Sequence, residues 1–126
     1  MKLFKVKGNS MYPVLRDNDL VVVKETEPES LRLGNIVVYH EDNGRYIVHR
    51  LVQKGKEDCL YLKGDGYNLP QVEANEALIV GKAVGFVRHG RYEPLKRNRE
   101  LHTWSVSLLK QFVKRFMRDA FRPGRC

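Results

Sequence analysis

The clearest structural signal in the chain is residues 36–52, which read IVVYHEDNGRYIVHRLV. Two β-branched and aromatic runs flank Asp42-Asn43-Gly44, and Asn-Gly is the turn dipeptide most typical of a two-stranded hairpin. We therefore predict a β-hairpin in which residues 36–41 pair with residues 45–52.

Similar short apolar runs occur on both sides of this hairpin. Turn residues bound most of them, and no segment of helical periodicity separates one from the next. This pattern favours an all-β sandwich or barrel over alternating βαβ units, so we predict a mainly β fold. The further runs are residues 20–23, 60–62 and 83–87.

The charge of the chain is concentrated in its last quarter. The net charge is +8, but residues 1–95 carry 14 Lys and Arg against 13 Asp and Glu, whereas residues 96–126 carry 9 against 2. From Thr103 to Phe121, apolar residues recur at helical spacing with Lys and Arg on the other face. We predict a β-rich domain over residues 1–95, followed by a basic connector and a C-terminal amphipathic helix over residues 96–126.

The predicted helix at residues 103–121 has three candidate roles. It packs on the β body, lies on an anionic membrane surface, or binds an acidic partner. Trp104, Phe112, Phe116 and Phe121 suit a membrane interface. Nucleic acid is the least favoured partner, because no helix-turn-helix, zinc finger or aromatic-lined β surface accompanies the basic face.

The sequence also bears on location and cofactors. It contains neither the apolar N-terminal stretch of a signal peptide nor an apolar run of 18 residues. Cys59 and Cys126 form neither a disulfide framework nor a metal-binding spacing. We expect a cytoplasmic protein, with peripheral attachment to the inner membrane as the alternative, and no metal or cofactor.

One loop sequence suggests chemistry, namely Gly8-Asn9-Ser10-Met11-Tyr12-Pro13. A serine nucleophile needs an exposed hydroxyl, a base, and backbone amides that hold the developing oxyanion. Gly8 allows the backbone to approach closely, and Pro13 stiffens the chain that follows. A serine in such a turn is more often structural, so the loop alone leaves both interpretations open.

His49 is the candidate base. Period-2 alternation places its side chain on the same face as Ile47 and Leu51, so the imidazole is largely removed from water and needs a hydrogen-bond partner. An ordinary pKa of about 6.5 leaves histidine mostly neutral at pH 7, the form that accepts a proton. The alternative is a structural core histidine.

A third polar segment, Lys63-Gly64-Asp65, follows the next predicted strand. Asp65 is placed to orient His49 through its other ring nitrogen, as the third member of a catalytic triad does. The alternative is a tight turn in which Asp65 caps local amides. Lys63 is the reserve candidate for the base, although a lysine needs strong desolvation for that task.

The order of these segments resembles the conserved boxes of the signal peptidase and LexA-like superfamily of serine peptidases. The resemblance covers about residues 5–88 and rests on the Ser-Met-x-Pro box, on Gly34 and the strand after it, on a base 39 residues after the serine, and on the Lys-Gly-Asp box. The base is lysine in bacterial signal peptidases and LexA-like autoproteases. The archaeal and endoplasmic-reticulum type has histidine followed by arginine, as His49-Arg50 does here.

The resemblance implies a fold, a site and an activity. The fold would be a β-rich barrel-type structure, and the site a Ser10–His49 dyad assisted by Asp65 without a cofactor. The backbone of Asn9, Ser10 and Met11 would surround the oxyanion. The substrate would be an exposed peptide or protein segment, cleaved after small residues.

The chain departs from the family pattern at several positions. Asn18 stands where the family usually has Gly, and Asn35 where it usually has Asp; we assign both to turns. Gly8 replaces a serine whose hydroxyl assists the oxyanion in some bacterial members. The signal peptidases also carry a membrane helix that is not found here, so we do not expect the enzyme that clears secretory signals.

These observations lead to one main hypothesis and two alternatives. The main hypothesis is a serine endopeptidase that cleaves peptides or leader-like segments. The first alternative is a catalytically inactive module of the same fold that holds an extended peptide by strand addition. The second is an autoprotease that cuts its own connector within residues 89–102.

Overall fold

The computed structural model describes residues 1–66 and 68–95. Strands make up 49% of these residues, which confirms the mainly β prediction. The other regular elements are two 3-10 turns, Pro28–Ser30 and Glu76–Leu78, so within these ranges no helix could span a bilayer. The strands are β1 (Lys2–Lys5), β2 (Leu20–Lys24), β3 (Ile36–His40), β4 (Tyr46–Lys54), β5 (Cys59–Lys63), β6 (Val72–Asn75), β7 (Ile79–Arg88) and β8 (Arg91–Pro94).

All of these strands belong to one antiparallel sheet. Its order is β1-β2-β7-β3-β4-β5-β6, and β8 pairs with β7 beside this path. The register shifts within the β2–β7, β3–β7 and β4–β5 pairs. Such bulges bend strands and increase their twist. The sheet curls into a half-barrel, so the barrel-type prediction is confirmed in part.

The predicted hairpin is confirmed. Strands β3 and β4 pair from Ile36 opposite Arg50 to His40 opposite Tyr46. Gly44 adopts a φ of 84° in the turn, a conformation that glycine reaches without steric cost. The two strands differ from the predicted bounds only at their ends, since β4 continues to Lys54.

Three strands were not predicted from the sequence, namely β1, β6 and β8. Each has four residues, and β1 and β6 lie at the two ends of the main strand order. Strands this short carry too few alternating residues for a period-2 pattern to stand out. They form because an unpaired edge of a longer neighbour supplies their hydrogen-bond partners.

The β3–β4 hairpin is covered on both faces. Val38 and Val48 belong to a buried cluster that includes Met11 from the loop between β1 and β2. Val37 and Leu51 belong to a second cluster on the other face. Because Val37 lies opposite His49 in the register, His49 shares this second face, as the alternation predicted. The predicted helix at residues 103–121 and the domain boundary lie outside the described residues.

Candidate functional site

Ser10 lies in the loop that joins β1 to β2. Met11 and Leu15 are 1% and 0% exposed and anchor this loop in the core, whereas Ser10 is half-buried. The amide of Tyr12 donates to the carbonyl of Asn9 at 3.1 Å and closes a turn around the serine. A buried methionine therefore fixes the loop directly beside a serine that solvent can still reach.

The backbone of Ser10 rests on the turn that follows β5. The Gly66 amide donates to the Ser10 carbonyl oxygen at 2.9 Å. A Cβ at Gly64 would lie 2.5 Å from the same oxygen, so only glycine permits this approach. Glycine is therefore needed in the Lys-Gly-Asp box because it allows the turn after β5 to contact the backbone of Ser10.

Strand pairing brings His49 towards the same place. Arg50 lies opposite Lys63 in the β4–β5 pair. His49 and Gly64 are each the next residue beyond that pair, and Gly64 contacts Ser10. The fold thus gathers the three sequence segments at one end of β5. Within residues 1–66 and 68–95, the hydrogen bond of the His49 ring is with Tyr39, and none joins it to the Ser10 hydroxyl.

The surroundings of His49 favour a neutral imidazole. Burial lowers the pKa of His49 below its ordinary value of 6.5, while the negative charges of Glu41 and Asp65 oppose this shift. The Tyr39 hydroxyl lies 3.5 Å from Nδ1 of His49. Burial, helped by Glu41, raises the pKa of Tyr39 to about 12, so this phenol keeps its proton at neutral pH.

Asp65 has a different partner from the one that the sequence suggested. Its Oδ1 and Oδ2 accept hydrogen bonds from Nε and Nη2 of Arg50 at 2.8 and 2.7 Å. The planar guanidinium matches a carboxylate in this two-point geometry, and the contact raises the pKa of Arg50. Asp65 therefore reaches His49 through its charge, whereas its described hydrogen bonds go to Arg50.

Arg50 is the functional candidate that residue-by-residue reasoning missed. Its Nη1 also donates to the Gly34 carbonyl at 2.7 Å, so one side chain ties β4 to the turn after β5 and to the segment before β3. The only sequence signal was its place directly after His49.

Lys63, the reserve base, is exposed at the end of β5 and lacks the desolvation that a lysine base needs.

A second arginine–aspartate pair fixes the far end of the Ser10 loop. Arg88 of β7 donates from Nε and Nη2 to Oδ1 and Oδ2 of Asp19 at 2.9 and 2.7 Å. Asp19 is buried, and its Oδ2 also accepts from the Arg16 amide at 2.8 Å. Arg88 Nη2 reaches the Val14 carbonyl at 3.3 Å. The loop is thus held at its exit as well as at Ser10.

The interpretation of two asparagines as turn residues is confirmed. Asn18 adopts a φ of 72°, a left-handed conformation that asparagine tolerates better than most residues. Asn35 accepts a hydrogen bond from the Arg32 amide at 2.8 Å through its side-chain oxygen. Both departures from the family pattern therefore lie in backbone turns.

The structure also shows which other features accompany the site. A groove of about 620 Å³ is lined by Arg50, together with residues that include Gly34, Phe86 and Leu95. Its described lining contains neither Ser10 nor His49. Among residues 1–66 and 68–95, no group of three or more His, Cys, Asp or Glu side chains is placed to hold a metal ion.

Comparison with known proteins places this arrangement in a family. A family model described as Peptidase S24-like matches residues 1–84, which is two thirds of the chain. The matched segment contains the Ser10 loop, the strand of His49 and the turn at Gly64, and it supports the LexA-like serine peptidase superfamily indicated by the sequence. No curated protein matches the chain. Because this family model covers more than half of the chain, the chain belongs to the Peptidase S24-like family.

Proposed function

We propose that this protein is a serine endopeptidase that cleaves peptides or leader-like segments, with Ser10 as nucleophile and His49 as base. The observation that carries the proposal is the contact of the Ser10 carbonyl with Gly64 and Gly66. That turn continues the strand that pairs with the strand of His49. This shared position of the two segments, within a family of peptidases, supports the assignment of Ser10 and His49 to one catalytic unit.

The reaction follows from these positions. The Ser10 hydroxyl attacks the scissile carbonyl while Nε2 of His49 accepts its proton. The imidazolium then protonates the leaving amine. Water next attacks the acyl-serine while His49 accepts its proton, and His49 returns that proton to the Ser10 oxygen as the carboxylic acid product leaves. The backbone of Asn9, Ser10 and Met11 surrounds the oxyanion, and the bond from Gly66 to Ser10 fixes that backbone in advance.

The charges around His49 suit both stages of this cycle. Burial keeps the imidazole neutral before the attack, which is the state that accepts a proton. The carboxylates of Asp65 and Glu41 then favour the imidazolium that forms in the transition state. Asp65 contributes through its charge and through Arg50, which holds the turn beneath Ser10.

We also propose that the site is of the histidine type found in archaeal and endoplasmic-reticulum signal peptidases. The support is His49-Arg50 together with the contacts of Arg50, which give the arginine a structural task beside the base. Attachment of residues 103–121 to an anionic membrane remains part of the proposal and concerns residues beyond those described.

The test is cleavage of a mixed peptide library at pH 7.5 by the full chain. Ser10→Ala and His49→Asn should each lower turnover by about 10³-fold or more, because members of a catalytic unit act together. Ser30→Ala and His89→Asn are the matched controls. Both positions are exposed, and the φ of 52° at His89 suits asparagine. The controls should keep the wild-type rate.

Each alternative predicts a different result. A folded wild-type protein that binds library peptides without cutting them would overturn the enzyme proposal in favour of the peptide-binding module. A mass that decreases over days of storage in the wild type but not in Ser10→Ala, measured by mass spectrometry of the whole protein, would identify an autoprotease. Parallel reactions with anionic vesicles test the membrane proposal, which predicts faster cleavage when the vesicles are present.

A further inference from the structure

We propose that Tyr39 is the residue that positions His49, by accepting a hydrogen bond from Nδ1 so that Nε2 is left free for the proton of Ser10. The inference rests on the proposed peptidase function, since it assigns His49 a tautomer that only a base needs. It gives Tyr39 the task that the sequence analysis assigned to Asp65.

The first support is geometric. The Tyr39 hydroxyl lies 3.5 Å from Nδ1 of His49, and the two ring centroids are 6.0 Å apart with the planes at 57°. In the β3–β4 register, Val37 lies opposite His49 and Tyr39 opposite Ile47. Tyr39 is therefore the diagonal neighbour of His49 on one face of the hairpin, a distance that an aromatic side chain spans.

The second support is the burial of Tyr39. The residue is 3% exposed and packs in the cluster that contains Leu51 and Leu62, so its ring has little freedom to turn away. His49 Nδ1 is the side-chain hydrogen-bond partner that the described residues provide for the Tyr39 oxygen. The high pKa of Tyr39 keeps the phenol neutral, so its oxygen can accept as well as donate.

The third support comes from the protonation states of His49 during catalysis. Both ring nitrogens of an imidazolium carry hydrogen, so Tyr39 can only accept from Nδ1 once Ser10 has given up its proton. If Tyr39 also accepts before the reaction, the neutral ring has its hydrogen on Nδ1 and a lone pair on Nε2. The same contact then serves both states without rearrangement.

Asp65 is poorly placed for this task. Both of its oxygens are held by Arg50, and Nδ1 of His49 is directed at Tyr39. A ring nitrogen makes one in-plane hydrogen bond, so a contact from Asp65 would have to use Nε2, the atom that the reaction requires. The carboxylates of Asp65 and Glu41 influence His49 by charge, while Tyr39 sets its orientation and tautomer.

The test is ¹⁵N NMR of the His49 ring above pH 7 in the full chain. The proposal predicts hydrogen on Nδ1 in the wild type and a shift towards hydrogen on Nε2 in Tyr39→Phe, which removes only the hydroxyl. Tyr46→Phe is the matched control. Its ring contacts Phe4 and His40, so His49 should keep the wild-type spectrum.

Kinetics provide the second readout. Tyr39→Phe should lower kcat about tenfold with little change in KM, because the buried phenol is out of reach of a peptide at the surface. Hydrogen on Nδ1 that is lost in Tyr39→Phe supports the inference even if no peptide is cleaved, which separates it from the proposed function. Hydrogen on Nε2 in the wild type, or an unchanged His49 spectrum in Tyr39→Phe, overturns the inference even if peptides are cleaved.

Discussion

Two arginine–aspartate pairs hold the segments on either side of the candidate site, and they differ in depth. The Asp19 side chain that Arg88 binds is 3% exposed, whereas the Asp65 side chain that Arg50 binds is 16% exposed. In both pairs, Nε and Nη2 contact the two carboxylate oxygens at 2.7–2.9 Å. The first pair joins the exit of the Ser10 loop to β7, and the second joins the turn after β5 to β4.

The comparison shows that location, and not the type of contact, decides what such a pair does. Water cannot replace a lost partner of Asp19, because that carboxylate is buried. Asp65 is closer to solvent, but its turn carries the Ser10 loop and its charge acts on His49. We therefore expect Asp19 to determine mainly stability, and Asp65 mainly activity.

The largest effect should come from Asp19→Ala. This change removes the carboxylate that accepts from the Arg16 amide and from Nε and Nη2 of Arg88, and leaves Arg88 its longer bond to the Val14 carbonyl. Because the Arg88 side chain that remains is 24% exposed and can be hydrated, we expect a loss of about 3 kcal/mol of unfolding free energy, the upper value for a hydrogen bond to a charged group. Urea denaturation measures this loss, with Asp17→Ala as the control. Asp17 is exposed, and its hydrogen bond within the described residues comes from the Gly8 amide. Equal losses in the two variants would contradict the importance assigned to burial.

Gly64→Ala should have the next largest effect, and it tests the turn that the Arg50–Asp65 pair holds. The new Cβ would lie 2.5 Å from the Ser10 carbonyl oxygen, a backbone atom that can yield only if the loop moves. We expect about 10²-fold lower kcat/KM, since small displacements of a reacting group are costly. Gly55→Ala is the control, because its closest contact, 2.6 Å, is with the Tyr61 side chain. Unchanged peptide cleavage by Gly64→Ala would show that the turn does not position Ser10.

Asp65→Asn sharpens the comparison at the active side. Asparagine keeps the shape but removes the charge, so we expect kcat/KM to fall about tenfold. The pKa of His49 that is read from the pH dependence of kcat/KM should also fall, because the negative charge of Asp65 that raises this pKa is lost. Asp19→Asn is the paired variant and should lose more unfolding free energy than Asp65→Asn. The reverse order of stability, with full activity in Asp65→Asn, would exchange the two roles.

The smallest effect concerns stability in mild acid. Burial holds the pKa of His49 below 6.5 in the folded state, so the unfolded chain binds more protons as pH falls through 6.5. The wild type should therefore lose unfolding free energy from pH 7.5 towards the folded-state pKa, and His49→Asn should lose less. His89→Asn should follow the wild type. Parallel curves of unfolding free energy against pH for the wild type and His49→Asn would contradict a lowered pKa of His49 in the folded state.

Local patterns made much of the fold predictable. The Asp42-Asn43-Gly44 turn and the alternation beside it specify the hairpin without help from the rest of the chain. Ser10 and His49 could be selected because few residue types serve as nucleophile and base. The four-residue strands β1, β6 and β8 could not be predicted, since runs this short carry too few alternating residues and each depends on pairing with a longer neighbour.

Partner choice was the part that the sequence could not determine. His49 and Arg50 are adjacent, and only the register of β4 decides which of them a nearby carboxylate meets. Tyr39 stood within the predicted hairpin, but its contact with His49 depends on pairing Val37 opposite that residue. Asp19 and Arg88 are 69 residues apart, and no local pattern links them.

The pH dependence of peptide cleavage in His49→Lys tests the central claim most directly. If His49 is the base that activates Ser10, the wild-type kcat/KM should rise through an ionisation below pH 6.5, the direction set by burial. In His49→Lys, any remaining activity should rise at higher pH, because the ordinary pKa of lysine is about 10.4. Identical profiles in the two proteins would mean that residue 49 does not supply the base.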